Sequence, residues 1–168
     1  VVNRGATNIH SHLAFFNGSA AEQRLNQILK AHQIDRVLFD THELHQCDVM
    51  DPATLEAKHR KPKVPRYLLA LGKHPFLRFV GHPDNDRNDN ALAYWAKHVA
   101  QWIRERRQPY VFIHTPNNHH APELARRFHQ LLCKENPTLK ALAPFPSTTP
   151  STTLEPSPQM SFFSMEHC

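Results

Sequence analysis

The side chains through which this chain could do chemistry are mostly basic, and they are unevenly placed. Residues 58–66, Lys58-His59-Arg60-Lys61-Pro62-Lys63-Val64-Pro65-Arg66, carry five Lys or Arg in nine positions. Such a run can neutralise phosphates of a nucleic acid or another phosphorylated partner, and affinity gained that way falls as salt rises. No aromatic residue interleaves the charges until Tyr67, whereas stacked bases need aromatic faces between the cations. A solvated loop is the competing reading. Among the fourteen histidines, the spacings His10–His12, His42–His45 and His119–His120 match no structural zinc pattern. Surface or loop histidines are expected there, and no metal site is assigned. Cys47, Cys133 and Cys168 lie far apart with no Cys-x-x-Cys spacing, so reduced thiols are expected.

Composition narrows the class. A hydrophobic fraction of 40% with 21% charged residues reads as a globular domain. No apolar run approaches the ~18 residues a membrane helix needs. Val1-Val2-Asn3-Arg4-Gly5 lacks the basic start and apolar core of a signal peptide, so no membrane association and a cytoplasmic location are expected. The absence of an initiator Met suggests a processed or truncated start. The formal charge of +5 favours phosphate-rich partners only if it is clustered.

The elements that would position these groups are legible from periodicity. Ser19-Ala20-Ala21-Glu22 forms a capping box, and Ala21, Leu25, Ile28, Leu29 and His32 follow at helical spacing, which predicts a helix over 20–32. Residues 35–40, Asp-Arg-Val-Leu-Phe-Asp, predict a short strand. Asp51-Pro52 can start a short helix, with Asp as N-cap and Pro at N1. Two prolines make 58–66 an exposed connection. Strands are predicted at 76–80 and 110–114, joined by a helix over 90–106 whose apolar stripe is Leu92, Trp95, Ala96, Val99, Trp102 and Ile103. Pro122 at N1 opens a last helix with Leu124, Ala125, Phe128, Leu131 and Leu132 on its buried face. Strands alternating with helices imply an α/β fold with parallel, right-handed βαβ units. Residues 143–158 are mostly Pro, Ser and Thr, a composition that buries too little apolar surface to offset ordering. A domain over 1–140 and a flexible tail over 141–168 are expected.

Several segments together resemble the YecE-like proteins, domain-of-unknown-function family 72. They are Val80-Gly81-His82-Pro83-Asp84 through Tyr94-Trp95-Ala96, Tyr110-Val111-Phe112-Ile113-His114-Thr115-Pro116-Asn117-Asn118, and Ala121-Pro122-Glu123-Leu124-Ala125. Upstream, His12-Leu13-Ala14-Phe15-Phe16, Arg36-Val37-Leu38-Phe39-Asp40 and Lys61-Pro62-Lys63-Val64-Pro65 fit the same order and spacing. The resemblance implies a TIM-like (β/α) barrel of about 250 residues. Three or four βα units can be counted here, so the chain is expected to hold the C-terminal half of such a barrel. Half a barrel leaves a sheet edge and an inner face unpaired, which predicts poor solubility, oligomerisation or partial disorder.

In such barrels functional groups sit at the C-terminal ends of strands. The resemblance therefore picks out Asp40, His82 and His114, with Arg78 within its strand and Asn117 and Asn118 in the last loop. An Asp, an Arg and two His around one mouth could bind phosphate or act as acid and base. Alternatively, Arg78 and Asp40 form a structural ion pair and the histidines cap loops. In the tail, Gln159-Met160-Ser161-Phe162-Phe163 resembles the bacterial sliding-clamp-binding peptide, with Met160 and the two Phe as apolar anchors; a tail folded onto its own domain is the alternative. Two function classes follow. One is a nucleic-acid-associated barrel with phosphodiester chemistry, tethered to a sliding clamp through the tail. The other is a non-enzymatic barrel binding a phosphorylated or sugar-like small molecule. An inactive fragment is a third outcome, and no cofactor is assigned.

Overall fold

A computed structural model describes Phe15 and residues 18–145 of the 168-residue chain. The first helix, α1 (Ala20–Ala31), starts where the capping box places it: the Ser19 side chain accepts from Glu22 N. The Glu22 carboxylate turns back to accept from Gly18 N and from Arg36 Nη1, at 2.7 and 2.8 Å. Strand β1 is Val37–Asp40, shorter than the 35–40 expected. Asp35 and Arg36 stand outside it because the pairing with the neighbouring strand begins at Val37, opposite Phe76. Asp35 accepts from the Gly72 and His74 amides, and Arg36 reaches Glu22, Asn26 and the Phe15 carbonyl.

The stretch after β1 holds more regular structure than its sequence suggests. Helix α2 (His42–Gln46) was not expected; it is too short for a periodic signal. Helix α3 (Pro52–Arg60) begins at the predicted Asp51-Pro52, with Asp51 accepting from Ala53 and Thr54 amides. It runs on through Lys58, His59 and Arg60, so the expected exposed connection is corrected: its first three residues are helical, and Val64 beyond them is buried.

Strands β2 (Phe76–Val80) and β3 (Tyr110–His114) have the expected limits. Between them a 3₁₀ turn, Asn85–Asn88, leads into α4 (Asp89–Arg104), one residue earlier at its start than the helix expected from 90. The last helix is α5 (Ala121–Glu135). Its cap is His120, so Ala121 is the first helical residue and Pro122 the second, one position later than expected.

The three strands form one parallel sheet in the order β1-β2-β3. Side chains alternate between its faces. Leu38, Leu77 and Phe79 face α4 and α5, and pack with Leu92, Trp95, Val99, Leu124 and Phe128. Trp95 is 1% exposed and Trp102 is also buried, as their stripe predicts. The opposite face carries Phe39 and Val80, covered by Leu44 of α2, Ala57 of α3 and Val64. Further toward the strand starts this face is uncovered: Tyr110 is 43% and Phe112 46% exposed. Among the described residues, β1 and β3 each pair on one side only. The structure is thus an α/β unit with an open parallel sheet, and three strands close no barrel.

Candidate phosphate site at the strand ends

The register separates the four residues expected at one mouth. Asp40 pairs with Phe79 and points to the helix-covered face, whereas Arg78 pairs with Phe39 and Phe112 on the other. Asp40 is 1% exposed. Its Oδ2 accepts from Trp95 Nε1 at 2.6 Å and from Arg66 Nε at 2.8 Å, and its Oδ1 from the His42 amide. Three hydrogen bonds and near-complete burial give this carboxylate a structural use, so Asp40 joins β1 to α4 and does not face Arg78. The Asp40–Arg78 ion pair is likewise not formed; Arg66 takes that place, with Glu43 as its second partner at 3.1 Å.

Arg78 and His114 do share a face. His114 lies beside Val80, two residues beyond Phe112 on the same side of the sheet. The Arg78 guanidinium lies 5.3 Å over the Phe39 ring, and its buried Nε has no hydrogen-bond partner. No ion pair is made to it among the described residues. His114 Nδ1 meets Asn118 Oδ1 at 3.2 Å. Asn118 has φ 57°, a left-handed conformation that Asn tolerates, and this turn brings its amide back to the strand.

A third cation comes from the basic run. Lys61 follows α3, and the carbonyls of Lys61 and Pro62 are held by His45 Nε2 at 3.1 Å and Thr41 Oγ1 at 2.9 Å. These bonds lay the segment across the end of β1. Burial lowers the Lys61 ammonium's affinity for its proton, and nearby Arg78 and Arg60 lower it further, with Glu56 opposing weakly. Burial also pushes His114 below the ordinary histidine range; Arg78 and Lys61 add to that, against the hydrogen bond His114 makes to Asn118 Oδ1. Arg78 and Lys61 thus act on His114, and Arg78 on Lys61, as like charges, and among the described residues none of the three forms an ion pair.

The other basic residues do not converge here. Lys58 Nζ donates to the Cys47 carbonyl, Arg60 pairs with Glu56 on the exposed side of α3, and Lys63 is exposed. His82 is 3% exposed. The Asp84 amide donates to its Nδ1 at 2.9 Å, which leaves the proton on Nε2, and Nε2 is buried without a partner. Thr115 Oγ1, just past the end of β3, is orphaned in the same way. No group of three or more His, Cys, Asp or Glu is placed to hold a metal ion among the described residues. The Gln159–Phe163 peptide lies outside the described residues.

Sequence reasoning missed Asn88. Its Oδ1 accepts from the His82 amide at 2.7 Å, and its Nδ2 donates to the carbonyls of His82, Asp84 and Asn85. It fixes the loop after β2. The only sequence signal was a turn-rich run, 84–90, just ahead of a helix. Gly81 serves the same loop, since a Cβ there would lie 2.4 Å from Asn88 Oδ1.

A parallel α/β unit with unpaired polar groups at its strand ends is the general class this geometry defines. The particular family follows from comparison with known proteins. A family model described as protein of unknown function DUF72 matches residues 11–150, and the chain belongs to that family. The UPF0759 protein YecE of Escherichia coli K12 is 33% identical over 135 residues, which cover 80% of this chain and 49% of YecE. YecE of Escherichia coli O157:H7 is 32% identical over the same length. The chain thus spans about half the length of these curated relatives. No solved structure matches it. Among the described residues no helix is long and apolar enough to cross a membrane.

Proposed function

We propose that this chain is the phosphate-holding part of a YecE-like (β/α) barrel, and that Arg78, Lys61 and His114 bind the phosphate group of a small phosphorylated ligand. One observation carries the reading: Arg78 presents a guanidinium with a buried, unpartnered Nε, and among the described residues no carboxylate pairs with it. A buried donor left unpaired costs about 1–3 kcal/mol. An anion is the partner that would relieve both the orphaned donor and the crowding of Lys61 against Arg78. Guanidinium groups suit this task because their fork of donors matches phosphate oxygens.

His114 fits the same role. Burial, Arg78 and Lys61 lower its pKa and so favour the neutral ring, which with Nδ1 facing Asn118 Oδ1 would accept from a ligand hydroxyl through Nε2 or bind the phosphate once protonated. Phosphodiester chemistry would need further groups from the half of the family fold that this chain does not span. Binding without chemistry is therefore the reading adopted, and sliding-clamp tethering through Gln159–Phe163 remains a proposal on sequence alone.

Calorimetric titration with ribose 5-phosphate tests the site. Saturable binding is expected, weaker at 200 mM salt than at 50 mM. Arg78→Gln should weaken it by about 10- to 100-fold, the range for a charge-assisted hydrogen bond of ~1.5–3 kcal/mol. Equal binding by the variant and the natural chain would remove Arg78 from the site and the proposal with it.

A further inference from the structure

On the side where the strands start, the ends of α1 and α4 meet at a basic cleft of about 640 Å³. Lys30 and Gln33 line it from the end of α1, Lys73 and His74 from the turn before β2, and Arg106 and Arg107 from the end of α4. All of its lining comes from described residues, and none of it belongs to β1 or β3, whose outer sides are unpaired. Asp35 shapes the turn. Its carboxylate accepts from the Gly72 and His74 amides at 2.7 and 2.8 Å, and a Cβ on Gly72 would lie 2.7 Å from Asp35 Oδ2.

Both helices end there in the same way. Gln33 N donates to Lys30 O at 3.1 Å and Ile34 N to Leu29 O at 2.9 Å; Arg106 N donates to Ile103 O and Arg107 N to Trp102 O, both at 2.9 Å. This closure puts the residue after the cap in the left-handed region, where glycine is the usual occupant. Here that residue is Gln33 at φ 55° and Arg106 at φ 60°, so two polar side chains reach the cleft from positions that L residues rarely take. Lys30 alone has a local reason, since a cation in the last turn of α1 suits the helix dipole. Arg106 lies past the end of α4, whose last turn already holds Arg104, and Lys73 is on no helix. Lys30, Lys73 and Arg106 are exposed and form no ion pair among the described residues. Glu105, the carboxylate lining the cleft, is held by Arg107 Nε and Gln101 Nε2, each at 3.0 Å.

We propose that this cleft is a docking surface for double-stranded DNA, with Lys30, Lys73 and Arg106 each taking a backbone phosphate. Three long, exposed side chains on separate elements offer spaced point charges, which match a chain of repeating phosphates. No Phe, Tyr or Trp lines the cleft, so unpaired bases find no such ring to stack on. Its carboxylates are already engaged, Glu105 by Arg107 and Gln101 and Asp35 by backbone amides, which leaves few acceptors for the 2′-hydroxyls that distinguish RNA. The surface is separate from the phosphate site on Arg78, and neither reading depends on the other.

Fluorescence anisotropy of a short labelled DNA duplex on the full chain, from 50 to 200 mM salt, tests the surface. Three phosphate contacts predict a log–log salt slope of about −2.7, or roughly a 40-fold loss of affinity across that range. Lys73→Gln and Arg106→Gln should each weaken binding and reduce the slope by about 0.9, alike for duplexes of unrelated sequence. Arg106→Gly should weaken binding as much as Arg106→Gln and yet raise the thermal midpoint by about 2–4 °C, because glycine relieves the left-handed position. No binding at 50 mM salt, or a duplex affinity untouched by all three substitutions, would overturn the proposal. So would a loss confined to Arg60→Gln, which would move the interface to the 58–66 run. Tighter binding of polyglutamate would assign the cleft to an acidic protein. Tighter binding of an RNA duplex, or of a single strand of the same length, would likewise replace duplex DNA as the partner.

Discussion

Asp40 and Arg78 stand on neighbouring strands, yet one charge is fully partnered and the other is open. The difference comes from a one-residue offset in register: Phe39, not Asp40, lies beside Arg78. His114 shows the electrical consequence. Burial, then Arg78 and Lys61, hold its pKa below the ordinary histidine value of 6.5. Burial lowers His45 and His98 as well. The sign of the pH effect follows. Below pH 6.5 the unfolded chain takes up protons that these folded sites resist, so their contribution to stability is intact above about 6.5 and is lost as pH falls toward the folded values. Thermal unfolding midpoints should therefore drop from pH 7 to pH 5. In an NMR titration, the His114 midpoint should lie below 6.5 and rise when ribose 5-phosphate is added. A His114 midpoint that ignores the ligand would place the phosphate elsewhere.

Between elements, the decisive link is the one from β1 to α4 through Asp40. Its carboxylate holds the Trp95 indole and Arg66, and so ties strand, helix and the 61–66 segment together. Asp40→Ala would leave a buried indole N–H and a guanidinium unpaired. A loss of about 2–4 kcal/mol in urea unfolding is expected. Arg78→Gln should cost less than Asp40→Ala, because it removes an unpartnered donor and breaks no hydrogen bond or ion pair among the described residues. The opposite ranking would mean that Arg78 is the structural residue and Asp40 the free one. The helices were readable because their stripes repeat over many residues; α4 and α5 keep their periodic cores. Helix α2 was not, since five residues give less than two turns of pattern. The 58–66 run misled for another reason. Its charges are read one by one in sequence, but folding sends Lys58, Arg60 and Arg66 to separate local partners and leaves Lys61 near Arg78.

For the molecule as a whole, the sheet is protected at its centre and open at its margins. Among the described residues, β2 is hydrogen-bonded on both sides, while β1 and β3 each present an unpaired side. Backbone amides of β2 should exchange with solvent most slowly, and those of β1 and β3 that point away from β2 should exchange orders of magnitude faster. Uniform protection of all three strands in the isolated chain would show that both margins are covered. The open margins agree with a chain that spans half the length of its YecE relatives.

By itself the sequence determined the α/β alternation, the limits of β2 and β3, the buried face of α4 and the family. All of these depend on local periodicity or on the order of short segments, and both survive in one dimension. Tertiary structure decided which charges meet. Whether Asp40 or Phe39 stands beside Arg78 depends on a pairing between strands 35 or more residues apart, and a shift of one residue would send every side chain of β1 to the opposite face. The unpartnered Arg78 Nε and its place on the same face as His114 are products of strand pairing, which is why the candidate site could be glimpsed at strand ends but not assembled there.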